Sequence, residues 1–484
     1  MDPVQLHPKD TVCAFCENPL FFDKICAIIT YPRPKYIKTE NAMENEKVYS
    51  EIPYDKKVKH YNTSKMPKYQ LGIFTFLIYA LSKILMIGRK YKIEKFDMDD
   101  IKGPYILLSN HMYFVDFYLN SIATFPKKVY NIATVDGYYR RPFLMEIIGC
   151  MCKRKFTTDP DLIKSIENVL FKKKGIMCMY PEARYTPVGT TAILPDSLSQ
   201  LVKRMNVPVV VMLHHGNYLH TPFWNFRKPR KVPLYTTVRC VLRPEEIEKL
   251  SEPEIQERIV SAMQYNEYKW QKEQGIEITE PFRAEGLNKI LYQCPSCLTE
   301  HKMESEGSIL YCSHCGKRWE MDTLGELHAL EGETEFPHVP DWFEWERENV
   351  RREVESGNYH FEDEVDVFSL PSCMKFQDVG KAKMTHSADG FVIEGEYRGK
   401  KYRIRRPVSG MYGVHIEYDY CYVRPDDCID ISTSKDSLYC YPTKKDVVTK
   451  ISFATEELYK LKMKDRLARR REAQARSAEK LQNS

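Results

Sequence analysis

The sequence is short of the features that sort a chain at a glance. It has little net charge: 72 Lys and Arg against 67 Asp and Glu leave +5 on 484 residues. That balance excludes a polybasic or polyacidic protein, so any nucleic-acid contact must come from a local patch. Its opening, MDPVQLHPKD, lacks a basic stretch followed by an apolar one, so no export is expected and the chain is placed in the cytoplasm. Fifteen cysteines in such a chain point to thiols and metal sites, not disulfides. Low-complexity disorder is excluded over most of the length by a hydrophobic fraction of 43% and an aromatic fraction of 12%. The most apolar run, residues 71–88, stops at 18 residues, the lower limit for a membrane span.

What is there divides into about five stretches. Residues 1–65 form a polar extension with a Cys pair, Cys13 and Cys16, and a third thiol, Cys26. His7 could join them, but the spacings fit no common metal pattern. In LGIFTFLIYALSKILMIG, residues 71–88, the less apolar positions Thr75, Tyr79, Ser82 and Lys83 fall on one helical stripe. Basic residues flank both ends, among them Lys65, Lys68, Arg89, Lys90 and Lys92. This pattern predicts an amphipathic helix lying on an anionic membrane surface, its polar stripe toward the headgroups.

Apolar strands then alternate with amphipathic helical segments. Strands are expected at 105–109, 129–134, 175–180, 208–213 and 235–242, with helices at 111–124, 140–149, 159–171 and 194–205. That rhythm predicts an α/β domain over 66–275, a mixed sheet covered by helices. From 286 to 325 the character changes. Cys294 and Cys297 form one Cys-x-x-Cys pair, and Cys312 and Cys315 form a second after fourteen intervening residues. Two such pairs predict a zinc ribbon with a closed four-thiolate structural site. A helix over 341–356 precedes short alternating strands around 391–397, 402–404 and 414–418, giving a small β-rich domain over 335–450. That piece faintly resembles lipid-binding barrels of the pleckstrin-homology type. A charged helix over 454–484, with Arg469, Arg470 and Arg471, closes the chain.

Candidate chemistry sits in LLSNHMYFVDFYLN, residues 107–120. A strand leads into an apolar helical run, yet His111 and Asp116 stand in the middle. Asn110 suits a helix N-cap, which would start the helix near His111. Five residues along a regular helix turn about 140°, which would part the two side chains. They meet only if His111 lies in the turn before the helix. A carboxylate on one imidazole nitrogen then leaves the other as a general base.

Ser109 to Asp116 resembles the Asn-His-x4-Asp motif of the glycerolipid acyltransferases, which include the lysophosphatidic acid (PlsC-like) enzymes. Gly149 to Lys155 resembles their second block, Tyr180 to Thr186 their Phe-Pro-Glu-Gly-Thr-Arg-Ser block, and Val207 to Val210 their proline-centred strand. The resemblance covers about residues 70–270. It implies acyl-CoA or acyl-carrier protein as donor and a lyso-phospholipid acceptor, in phospholipid synthesis on the inner face of the cell membrane. It casts His111 as base and Asp116 as its orienting partner. It places Glu182 and Arg184 in the acceptor site, and gives Arg154 or Lys155 the acceptor's phosphate. The chain departs from the motif twice: Ala183 stands for the glycine, and arginine comes one position early, with Tyr185 in its usual place.

The leading expectation is a peripheral membrane O-acyltransferase with a structural zinc. The alternatives are a non-catalytic lipid-binding or regulatory protein on the same scaffold, or transfer to a different hydroxylated lipid. Nucleic-acid binding through the ribbon is not expected, because only Lys317, Arg318 and Trp319 offer a basic-aromatic cluster there.

Overall fold

The computed structural model describes residues 48–482 except Thr158, with side chains to residue 466. Cys13, Cys16, Cys26 and His7 lie outside the described residues, as do the side chains of Arg469, Arg470 and Arg471.

A seven-stranded sheet contains β1 (Tyr91–Phe96), β2 (Ile106–Ser109), β3 (Val129–Thr134), β4 (Cys150–Lys153), β5 (Ile176–Met179), β6 (Val209–His215) and β7 (Leu234–Leu242). Its order is β1-β7-β6-β2-β5-β3-β4. Strands β2 to β6 pair parallel, while β7 runs antiparallel to β6 and carries β1 along with it, so the sheet is mixed. Every residue of β2 and β5 is buried. That explains their unbroken apolar sequence: a central parallel strand is covered on both faces. The five expected strands are present, and two are additions: β1, whose mixed polar sequence gave little signal, and β4, an edge strand of only four residues.

Among the helices packed around this sheet are α1 (Gly72–Leu85), α2 (Val115–Thr124), α3 (Ser197–Met205) and α4 (Glu252–Met263). Helix α2 starts at Val115, not at His111, so the turn that the His–Asp pairing requires is real. Asn110 is not its cap. Its side chain donates to His214 O (3.0 Å) and accepts from His214 N (2.8 Å), extending the β2–β6 contact by one clamp.

Helix α1 is turned the other way from the orientation its sequence suggests. Ser82 is buried against the body, and Thr75 and Tyr79 are half-buried, the Tyr79 ring stacked on Phe125 at 4.1 Å. The outward face carries Ile73, Phe76, Leu77 and Ile84, each 50–60% exposed. Small Ser82 lets the helix approach α2 closely, and the bulky apolar residues are left outside. Lys83 alone of the stripe stays exposed, donating to Tyr91 OH (2.6 Å). No helix among the described residues is long and apolar enough to cross a membrane.

The Cys-rich stretch is a four-stranded antiparallel sheet: β8 (Met303–Glu306), β9 (Ile309–Cys312), β10 (Arg318–Met321) and β11 (Leu327–Ala329). Helix α5 (Val339–Glu355) docks on it, with Trp342 and Trp319 in edge contact at 5.0 Å. A second seven-stranded sheet follows, wholly antiparallel: β12 (Phe361–Ser369), β13 (Gln377–Ser387), β14 (Gly390–Tyr397), β15 (Lys400–Arg406), β16 (His415–Tyr420), β17 (Asp426–Ser432) and β18 (Ser437–Pro442). Its order runs from β15 to β16 without those two pairing, so it is an open sheet and not a closed barrel. Helix α6 (Val448–Gln482) packs back against α5 and this sheet.

One apolar core lies in and around the first sheet. Another joins the ribbon, α5, α6 and the second sheet, and it takes in Met112, Tyr185, Tyr218 and Phe223 from the first part of the chain. The turn bearing His111 therefore lies where the two meet.

Candidate active site and metal centre

The end of β2 sets His111 in a tight turn, and α2 begins in time to bring Asp116 back beneath it. His111 Nδ1 donates to Asp116 Oδ2 at 3.0 Å. The same oxygen accepts from Met112 N (2.7 Å) and Tyr113 N (3.1 Å), and Asn217 Nδ2 donates to Oδ1 at 2.6 Å. A carboxylate that is fully buried needs such a set of donors to stay charged. Because ionised Asp116 can only accept, Nδ1 carries the proton and Nε2 holds the lone pair. Nε2 is buried without a hydrogen-bond partner among the described residues. Leaving a buried polar atom unmade costs about 1–3 kcal/mol, which fits a group reserved for a substrate hydroxyl.

The segment 180–186 closes around this turn. Thr186 N donates to His111 O (2.9 Å), while Glu182 accepts from the His111 backbone N–H and from Ala192 N (3.0 Å). Ala183 has a φ of +58°, the left-handed conformation that glycine adopts freely. That is a backbone reason for a glycine at this place in the motif. The His111 ring lies between Tyr180 (4.0 Å) and Tyr185 (4.2 Å). Tyr185 packs on Phe223, and Phe223 on Tyr418 of β16, so the later part of the chain helps to seal the site. His111 is 4% exposed.

Burial pushes the Glu182 carboxyl up to about 7, against the lowering effect of its backbone donors and of Arg184. Burial likewise raises Glu267, under the turn that carries Asn217, to about 8. Each group holds its proton more tightly folded than unfolded. Below about pH 4.5 both forms of the chain are protonated at Glu182, and above about 7 both are ionised. Stability is therefore expected to fall as pH rises through that window, by about 3 kcal/mol for Glu182. Denaturant titrations of wild type and Glu182→Gln from pH 4 to 8 check this: the variant should show the flatter profile.

The other expected acceptor residues are engaged within the chain. Arg184 pairs with Glu456 of α6 and reaches Ser452 Oγ (3.4 Å). Glu456 is shared with Arg347 of α5. Lys155 lies within 3.1 Å of Asp136, 3.4 Å of Glu417 and 2.9 Å of Asp430. Arg154 donates to Ser437 Oγ (3.2 Å) and Pro371 O (3.5 Å). Lys155 and Arg154 are buried. The structure thus brings His111, Asp116, Glu182 and Tyr185 together and turns the three cations toward the second sheet and α6. Asn217 escaped sequence reasoning, because only the β6 turn delivers it to Asp116, 101 residues away.

The four ribbon thiols converge. Cys294 Sγ is 3.7 Å from Cys315 Sγ and Cys297 Sγ is 3.8 Å from Cys312 Sγ, and all four lie within 4.8 Å of one another. A tetrahedron with zinc–sulfur bonds of about 2.3 Å has sulfur edges of about 3.8 Å, so the set fits zinc. The residue after each second cysteine, Leu298 (φ +62°) and Gly316 (φ +80°), takes the left-handed turn that folds the pair into a knuckle.

No family model and no curated protein sequence matches the chain. Among solved structures, the crystal structure of the 1-acyl-sn-glycerophosphate acyltransferase PlsC from Thermotoga maritima is similar at 15% identity, over 39% of this chain and 78% of that one, with a TM-score of 0.29. A likeness of that size carries no argument about the site, which stands on its own geometry.

Proposed function

We propose that the protein is an O-acyltransferase that moves a fatty acyl group from a thioester, acyl-CoA or acyl-carrier protein, to the hydroxyl of a lyso-lipid at a membrane surface. The observation that carries this reading is the buried His111–Asp116 pair with an unpartnered Nε2. In the reaction, Nε2 takes the acceptor hydroxyl's proton as the oxygen attacks the thioester carbonyl. Asp116 stabilises the imidazolium so formed. The tetrahedral adduct then collapses, the carbon–sulfur bond breaks, and the proton passes from Nε2 to the departing thiolate. A non-catalytic protein on this scaffold would have no use for an oriented imidazole whose second nitrogen is kept buried and unpaired. Release of free thiol from an acyl thioester, dependent on a lipid hydroxyl, tests the reading.

The ribbon's zinc is structural in this scheme, since all four ligand positions are thiolates. Membrane attachment is assigned to the outward face of α1, supported by its exposed Ile73, Phe76, Leu77 and Ile84 and by the lysines around it. It corresponds to peripheral attachment on the cytoplasmic face. Replacing Phe76 and Leu77 together by Asp should lower partitioning onto anionic liposomes by about 10² or more, as two buried apolar side chains are lost. Co-sedimentation measures this. Unchanged binding of the doubly charged variant would rule out α1 as the attachment.

A further inference from the structure

The resemblance implies that cations at 154, 155 and 184 receive the phosphate of a lyso-phospholipid. In this structure Lys155 and Arg184 are taken up by internal carboxylates, and Arg154 is buried against neutral partners. Lys155 sits among three carboxylates, Asp136, Glu417 and Asp430, so the charge around it is already over-compensated. Arg184 and Arg347 converge on Glu456. Arg347 also contacts Glu344 and lies 3.9 Å from Glu457. Arg154 is buried and donates from Nη1 to the Ser437 hydroxyl and from Nη2 to the Pro371 carbonyl, with no hydrogen-bond partner for Nε among the described residues. Lys153, next in the run, pairs with Asp159. At Lys155 and Arg184 an incoming phosphate monoester would have to displace internal carboxylates from buried partners and lie beside those it displaced.

The position where the motif has arginine is filled by Tyr185. Its ring, not the Arg184 guanidinium, is the group beside His111, at 4.2 Å. A phenol makes hydrogen bonds with a neutral hydroxyl and has no charge to offer a phosphate near neutral pH. The chain turns here, through Ala183 at φ +58°, and carries the Arg184 side chain toward α6 while Tyr185 stays beside His111.

We propose, resting on the acyl-transfer reading, that the acceptor carries no phosphate monoester. Its free hydroxyl is presented to His111 beside Tyr185, and it is a neutral hydroxylated lipid of the monoacylglycerol or lyso-glycolipid kind. Arg154, Lys155 and Arg184 join the first sheet to the second sheet and α6, and Glu417, Asp430 and Glu456 set the specificity by taking Lys155 and Arg184 away from a phosphate.

The test gives the full-length protein labelled oleoyl-CoA with either 1-oleoylglycerol or 1-oleoylglycerol 3-phosphate in the same mixed micelles. The expected result is a kcat/KM at least about 10-fold higher for the neutral acceptor, with Arg184→Ala and Glu456→Gln leaving that ratio within about 3-fold. Preference for the phosphorylated acceptor, or equal rates, overturns the proposal. So does a Glu456→Gln protein that gains activity on the phosphorylated acceptor, which would make Glu456 a displaceable plug and Arg184 a phosphate ligand. The wild-type ratio decides the matter if the variants do not fold. Labelled product with neither acceptor, nor with any other lipid hydroxyl or the acyl-carrier-protein thioester, would instead remove the acyl-transfer reading. Retention of the wild-type protein on micelles doped with each lipid then decides this inference by itself: retention on the neutral lipid alone upholds it, and any other pattern overturns it.

Discussion

His111→Ala is expected to lower kcat/KM for acyl transfer by at least about 10²-fold, and Asp116→Asn by a comparable factor, with both proteins folded. The two losses have different causes. Without the imidazole the attacking hydroxyl loses the base aligned by Asp116, and water must take its proton. With Asn at 116 the imidazole remains but its support changes. Asp116 accepts four hydrogen bonds, from His111, Met112, Tyr113 and Asn217. An amide can offer only one oxygen to these donors and brings two N–H groups of its own. It would face Asn217 donor to donor, or turn its amide toward His111 Nδ1 and favour the wrong tautomer. Asp116→Asn should therefore retain acceptor binding, with kcat falling more than KM rises. Steady-state kinetics with a soluble acyl thioester measure both, and circular dichroism checks the fold. Wild-type turnover by well-folded His111→Ala protein would remove His111 from the chemistry.

Loss of the metal is expected to have an effect of similar weight on the fold. Four thiolates at tetrahedral spacing hold a sheet of very short strands, each of three or four residues. Such a unit has little core of its own, and zinc in sites of this kind supplies about 10–16 kcal/mol. Its collapse would not stay local. Trp319 packs on Trp342, and Trp342 Nε1 donates to Gln293 O (3.0 Å), so α5 loses its seat. Arg347 of α5 in turn holds Glu456 of α6. Cys312→Ala, or prolonged chelation, should cost the protein its metal, expose 291–355 to protease and precipitate much of the sample. Elemental analysis of the untreated protein should give about one zinc per chain. A protein that binds less than half an equivalent and keeps its protease resistance after chelation would contradict the assignment.

Much of this was legible in the sequence, and the reasons are physical. Strands β2, β5 and β6 show as apolar runs because both faces are covered. The thiol spacing announces the ribbon, since two knuckles are a local matter. His111 and Asp116 could be paired because helical geometry forbids any arrangement but a turn before the helix. What failed was whatever depended on distant partners. Asn110 has the composition of a cap, yet β6 offers it a backbone pair that the local chain cannot. The polar stripe of α1 suggested headgroups, but Ser82 found the protein interior. For the lysines and arginines near the motif, the internal partners could not be read from the sequence. Their partners lie 262 residues away for Lys155 and Glu417, 272 for Arg184 and Glu456, and 283 for Arg154 and Ser437. No periodicity or spacing reports separations of that order.

Direct observation of the product tests the central claim. Purified protein is incubated with labelled acyl-CoA, or the matching acyl-carrier-protein thioester, and a panel of lipid hydroxyl acceptors in micelles, and the lipids are separated and counted. The expected result is a labelled, alkali-labile ester from the wild-type protein and none above background from His111→Ala. No labelled lipid from any pairing of donor and acceptor, or the same ester from the His111→Ala protein, would contradict it.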